Sequence, residues 1–359
     1  MNLEDLLIRP EAIATAPWQL GQRMSHEIEK DGVTLIFCSD ERGCGGDEMP
    51  KDFSQIRRYL YHLSQNEIML NIGDLGDVIS GKTLEDTHYA VEELVLKCLE
   101  EGSLPVVIGG GVDMSVAVYQ ALARYTSPQV YTQINAQIHL GNAELPTSEY
   151  NALSQILTHK KSPKTYYHLA YQRHLNEKPS IQLLQDLEAE AVGLSKLMGQ
   201  PHQAEPYLRW AQMVSLSADA MESVGAPLSK HPQPNGLNAR EICVLMKEIG
   251  VGERLQALGL FNYDFNTANA LQQQLLAQLL WYFFEGLSIR KSHPKEKKIE
   301  TFVVLDGEVS YYFKREMFTG LWYFGEAEDL NQCLPCMAQD YQNAKEGVWA
   351  ERLIQFLNR

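Results

Sequence analysis

Short apolar runs recur along the chain and alternate with longer stretches of helical spacing. The runs are VTLIFC (33–38), IMLNI (68–72), PVVIGG (105–110), QVYTQI (129–134), TYYHLAY (165–171), MVSLS (213–217) and LGLFNY (258–263). Between them, 85–101, 113–124, 180–199, 238–249 and 270–286 repeat apolar residues at intervals of three and four. In the first of these, Val91, Leu94, Val95 and Cys98 fall on one stripe, and Gly102 follows as a terminating glycine. Short strands alternating with amphipathic helices predict an α/β fold whose parallel sheet is covered on both faces.

QINAQIHLGN (133–142) departs from the uniformly apolar strands. Its parity separates Gln133, Asn135, Gln137 and His139 from Ile134, Ala136, Ile138 and Leu140, which predicts a strand with one polar and one apolar face. The polar face carries amides and an imidazole but no Lys, Arg or Glu, unlike an ordinary solvated face. In open parallel sheets ligands sit at the carboxyl ends of strands, so VVIGGGVDMS (106–115), QINAQIHLGN and MVSLSADAMES (213–223) are the stretches to weigh. Gly109–Gly111 form neither a Walker loop nor a dinucleotide fingerprint and predict a tight strand-to-helix turn, with Asp113 near the helix start. NIGDLGDV (71–78) reads as a strand end followed by a turn.

Composition narrows the function classes. A hydrophobic share of 45% is ample for a core, and mean hydropathy is −0.27. A formal charge of −15 with no basic block longer than KEKK (295–298) argues against nucleic acid and anionic membrane as partners. The start of the chain lacks a signal-peptide pattern, and LLAQLLWYFF (275–284) is half a membrane span, so a cytoplasmic protein is expected. Cysteines 38, 44, 98, 243, 333 and 336 are scattered, as for unbridged thiols. Cys333-Leu-Pro-Cys336 has no second pair with zinc spacing and is expected as two thiols on a turn. SIRKSHPKEKKIE (288–300) predicts an exposed excursion before an aromatic-rich C-terminal section.

The joint order of GGGVDMS, INAQIH, SLSAD and NGLNAREI (235–242) resembles the arginase–agmatinase–formimidoylglutamase superfamily, the ureohydrolases. FCSDERGCGG, IRRYLYHL (56–63), NIGDLGDV and TSEYNALSQIL (147–157) agree with it, the last in the manner of formimidoylglutamases. The resemblance runs over about 33–290 and is weak over 291–359. It implies one domain across 1–359, of three-layer α/β/α architecture with a mostly parallel sheet of about eight strands. Family members use two manganese ions held by six residues, and often form trimers or hexamers.

Carried over position by position, the family's metal ligands fall on Val112, Asn135, Gln137, His139, Ser217 and Asp219. Only Asp219 keeps the expected ligand, and His139 is a donor of another type. Neutral amides are poor replacements for carboxylates around hard divalent ions. The family's late Glu should lie near LFNYDFN (260–266), where Asp264 is the only acid. Three readings follow from the resemblance. The first is a ureohydrolase-fold protein without the dinuclear centre or its hydrolysis, without metal or catalytic residues, in a binding, regulatory or structural role. It would take an amino-acid or guanidino ligand or serve as a homo-oligomer subunit. The second is a manganese-dependent C–N hydrolase of guanidino or formimino compounds using an altered site. The third is a one-metal enzyme built on His139, Asp219 and a further partner such as Asp113.

Overall fold

The computed structural model describes residues 3–66, 68–187, 189–224, 228–266 and 269–358. The chain divides into two compact units, Met1–Ser288 and Ile289–Arg359. The second is nearly coextensive with the section that carries only a weak resemblance.

The strands of the first unit are β1 (Leu7–Ile8), β2 (Met24–Ser25), β3 (Val33–Cys38), β4 (Ile72–Val78), β5 (Leu104–Gly109), β6 (Val130–Ile134), β7 (Thr165–Tyr171), β8 (Glu190–Gly193), β9 (Met213–Ser217) and β10 (Ala257–Phe261). They form one ten-stranded sheet in the order β1-β4-β3-β5-β10-β9-β6-β7-β8, with β2 beside β4. From β4 to β8 every neighbour is parallel; only the two-residue β1 pairs antiparallel. The sheet is thus the expected parallel one, extended by two short strands at one edge. Helices α1 (Ser54–His62), α2 (Leu84–Glu100), α3 (Met114–Tyr125), α4 (Ala152–Leu157), α5 (Lys178–Asp186), α6 (Leu194–Leu197), α7 (Glu205–Leu208), α8 (Ala239–Val251) and α9 (Ala270–Ser292) complete the α/β/α layers.

Each central strand serves two cores. Leu35 and Phe37 of β3 enter one apolar cluster with Val106, Ile108, Leu258 and Leu260, while Ile36 and Cys38 enter the other with Val107 and Val91. Burial on both faces is why these strands read as unbroken apolar runs. α2 starts from a capping box in which the Thr83 hydroxyl accepts from the Asp86 N–H at 3.2 Å and the Asp86 carboxylate accepts from the Thr83 N–H at 2.9 Å. Thr83→Ala is expected to lower unfolding free energy by about 1 kcal/mol in urea titration.

Three sequence expectations are corrected. NIGDLGDV is not a strand end and turn but β4 itself. Its buried Asp74 is paired with the Arg57 guanidinium of α1 at 2.7 Å and accepts from the Tyr61 hydroxyl at 2.8 Å, so a carboxylate can sit inside the sheet. The helical spacing over 180–199 breaks into α5, β8 and α6, because pairing with β7 overrides local preference. QINAQIHLGN is strand only to Ile134; beyond it Asn135 turns its side chain back to accept the Gln137 N–H at 3.3 Å.

The second unit is an antiparallel sheet of β11 (Ile299–Asp306), β12 (Val309–Glu316), β13 (Trp322–Phe324) and β14 (Leu334–Cys336) with helices α10 (Ala338–Lys345) and α11 (Glu351–Leu357). Phe302, Phe313, Trp322, Phe324, Tyr341 and Trp349 build its core. Cys333 and Cys336 are both buried rather than set on an open turn: Cys336 lies in β14 against the aromatic core, and the Cys333 thiol lies 3.8 Å from Lys314 Nζ. No helix among the described residues is long and apolar enough to cross a membrane.

Candidate functional site

The ends of β5, β6, β9 and β10 converge, as a parallel sheet requires. After β5 the backbone turns through Gly109 and Gly110 at φ 93° and 71°. A Cβ on Gly109 would lie 2.3 Å from the Cys38 carbonyl oxygen, so this position demands glycine. The turn delivers Val112, buried, with its N–H donating to Asn262 Oδ1 at 2.9 Å. Asn262, just past β10, sits in the left-handed region at φ 59° and its own N–H donates to the Gly110 carbonyl at 2.9 Å.

With its Oδ1 committed to Val112, the Asn262 amide points Nδ2 at two carboxylates. It donates to Asp219 Oδ2 at 2.6 Å and to Glu149 Oε2 at 3.3 Å. Asp219, two residues past the end of β9, also accepts from the Ser229 hydroxyl at Oδ1, and its N–H donates to Ser217 Oγ at 3.2 Å. Glu149 is tied to the 39–48 loop by its N–H, which donates to the Gly43 carbonyl at 2.9 Å. His231 Nε2 lies 3.0 Å from each Glu149 oxygen, and the His231 N–H donates to Ser229 Oγ at 2.9 Å. The network therefore ties the ends of β5, β9 and β10 to the loops that carry Glu149 and His231, through residues that lie far apart in the chain.

Charge follows this geometry. Burial pushes the Asp219 carboxyl up, against the opposing hydrogen bonds of Ser229 and Asn262. Burial also raises Glu149, but His231 and the Asn262 amide outweigh it and hold the carboxyl below its ordinary value. The hydrogen bond to Glu149 raises His231 against its own burial. His139, half-buried and edge-on to the Tyr150 ring at 5.2 Å, faces the same charges, yet burial lowers it. Glu41, buried, lies 2.5 Å from Lys230 Nζ and 3.3 Å from Lys51 Nζ.

Of the positions carried over from the sequence, Asp219 and Ser217 enter this network by side chain, Val112 only by its N–H, and His139 faces it. Asn135 and Gln137 pair locally. Asp113, weighed as a further metal partner, is buried against His88 Nε2 at 2.7 Å. The sequence reading did not single out Glu149, His231, Ser229 and Asn262. Glu149 lies inside the quoted TSEYNALSQIL and Asn262 inside LFNYDFN, where an acid was sought; His231 had no motif to mark it. Among the described residues, Glu149, Asp219 and His231 form a group whose donor atoms lie within 4.8 Å of one another, close enough to share one cation.

A family model described as the Arginase family matches residues 42–282. No curated protein sequence matches the chain. Among solved structures, the chain is similar to a Trypanosoma cruzi formiminoglutamase with Mn2+ at 20% identity and TM-score 0.68, covering 76% of this chain and 99% of that one. It is similar to formimidoylglutamase from Bacillus subtilis at 16% identity and TM-score 0.64, over 80% and 92%. Proclavaminate amidino hydrolase from Streptomyces clavuligerus follows at 13% identity and TM-score 0.61, over 74% and 95%. At these identities the structural likeness speaks for the fold.

Proposed function

The chain belongs to the arginase family, and on that premise we propose that it is a member without the family's hydrolytic centre, whose strand-end cleft binds a small amino-acid or guanidino compound without cleaving it. One observation carries this reading: the Asn262 amide stands between Asp219 and Glu149 and donates to both. A neutral donor thereby occupies the place between the two carboxylates that a shared cation would take, and the Val112 N–H fixes which way the amide faces. The donor set does not fit two divalent ions. Val112, Asn135, Gln137 and Ser217 offer no charge, and Asp219 with Glu149 supplies only two carboxylates against four positive charges. Without a metal pair the family's two-ion activation of water for attack on a guanidinium or imidoyl carbon is lost.

The test is elemental analysis after incubation with Mn(II) and gel filtration, run beside assays for urea and formamide. Expected are no pair of bound manganese ions, no release of either product, and a rise in melting temperature with one of arginine, agmatine or formimidoylglutamate. Two tightly held manganese ions per chain, or product release, would overturn the reading.

A second reading rests on the Glu149–Asp219–His231 group, with His139 facing it. Here the chain is a C–N hydrolase on linear amidines with one ion at an altered site. That ion would supply an activated water, while Glu149, Asp219 and His231 hold it. This reading predicts one ion per chain and turnover abolished in Glu149→Gln.

A further inference from the structure

Among the described residues of the second unit, β11 pairs only with β12 in the sheet order and forms its edge. It is a long edge, eight residues paired without a bulge, and contains no proline. Proteins ordinarily blunt such edges with prolines, bulges or inward charges, because unpaired N–H and C=O groups recruit another strand. The exposed face is apolar as well: Ile299, Val303 and Leu305 are 36%, 50% and 72% exposed.

Register shows which groups are unpaired. Asp306 and Val309 flank a two-residue turn, Gly307–Glu308, with Gly307 at φ 60°. The residues closing such a turn form a hydrogen-bonded pair, and pairs of that kind recur at every second position. Asp306, Val304, Phe302 and Glu300 therefore turn their backbone groups toward β12, and the Met317 N–H donating to the Lys298 carbonyl at 2.9 Å continues the same parity. The N–H and C=O groups of Ile299, Thr301, Val303 and Leu305 point outward.

A second copy brought up antiparallel, about a two-fold axis normal to the sheet, must set odd residues against odd ones to keep corresponding faces together. Three central registers satisfy this. Centring on Val303 sets Glu300 against Asp306, which is repulsive. Centring on Thr301 sets Lys298 against Val304. Centring on Phe302 sets Ile299 against Leu305, Thr301 against Val303 and Glu300 against Val304, and of the three registers it is the one that sets Lys298 against Asp306, at both ends. In that register every outward backbone group finds a partner. We propose that β11 is the pairing edge of a two-fold association between copies of this chain, centred on Phe302, which joins two four-stranded sheets into one of eight.

The test is light scattering on the full chain with Val303→Pro and Lys298→Asp. Because the Val303 N–H points outward, proline at that position costs no bond to β12, and near-ultraviolet circular dichroism of the aromatic core should be retained. Val303→Pro is expected to halve the mass of the assembly. Lys298→Asp should raise the dissociation constant by about tenfold at low salt, and adding Asp306→Lys should recover association by exchanging the two charges. The first charge variant is the cleaner arm, since Asp306 also accepts from the Trp349 indole at 3.2 Å. A wild-type monomer at high concentration overturns the proposal. So does an assembly whose mass is unchanged in both Val303→Pro and Lys298→Asp, which would place the contact on another face.

Discussion

Asn262→Asp is expected to lower unfolding free energy by about 3–5 kcal/mol at pH 7.5 in the presence of chelator, because it leaves a buried charge without a partner. The substitution is nearly isosteric, and aspartate tolerates the left-handed backbone much as asparagine does, so the φ of 59° adds little to the loss. The Val112 N–H keeps an acceptor. What changes is the group that stands 2.6 Å from Asp219 Oδ2 and 3.3 Å from Glu149 Oε2, which passes from donor to anion. Three carboxylates then share a space arranged for two, beside the His231 imidazole, whose protonation Glu149 favours. One of them must hold a proton, so its folded value rises above the unfolded one. The destabilisation is therefore complete above that raised value and recedes as pH falls through it. A divalent cation can also take up the new charge. Millimolar Mn(II) or Zn(II) should restore much of the lost stability in the variant and add little to the wild type. Urea titration across these conditions checks each part, and a variant as stable as wild type in chelator would remove the amide from the centre of the argument.

The same residues explain how far sequence reasoning reaches here. β3, β5, β6, β7, β9 and β10 were legible because burial on both sides leaves continuous apolar runs. β4 was not, since Asp74 and Asp77 look like turn residues until Arg57 is placed beside them at 2.7 Å from each. Asp219 and His139 stood out by position within an ordered set of motifs. Glu149, His231 and Asn262 did not, for their meaning lies in contacts that span 82 and 113 positions of the chain and join loops with no periodicity of their own. The resemblance also directed attention to what the strand ends had lost. It gave no sign that an acid and an imidazole from neighbouring loops, with an amide from just past β10, come together beside the one aspartate that remains.

His168 should make folding sensitive to mild acid. It lies fully buried in β7, with Nδ1 2.7 Å from the Tyr166 hydroxyl and Nε2–H donating to the Asn135 carbonyl at 3.0 Å, and so fixes the backbone just past the end of β6. Burial is the main cause that brings its pKa down from 6.5 to about 4; the bond to Asn135 opposes the shift, and the charge of nearby His139 adds to it. A histidine depressed in this way binds its proton more readily in the unfolded chain. Its contribution is therefore neutral above pH 6.5, becomes destabilising as pH falls below that value, and levels off near pH 4. Over that window the loss is about 3 kcal/mol, from roughly 1.4 kcal/mol per pH unit. Asp77, Asp113 and Asp219, raised by burial, act with the opposite sign and gain stability on acidification, so wild type alone would blur the effect. The difference between wild type and His168→Gln isolates it. The variant should lose stability at pH 7.5, where the imidazole packing is missing, yet fall less steeply than wild type between pH 6.5 and 4. Parallel curves for the two proteins would mean that His168 takes up its proton without strain on the strand end it supports.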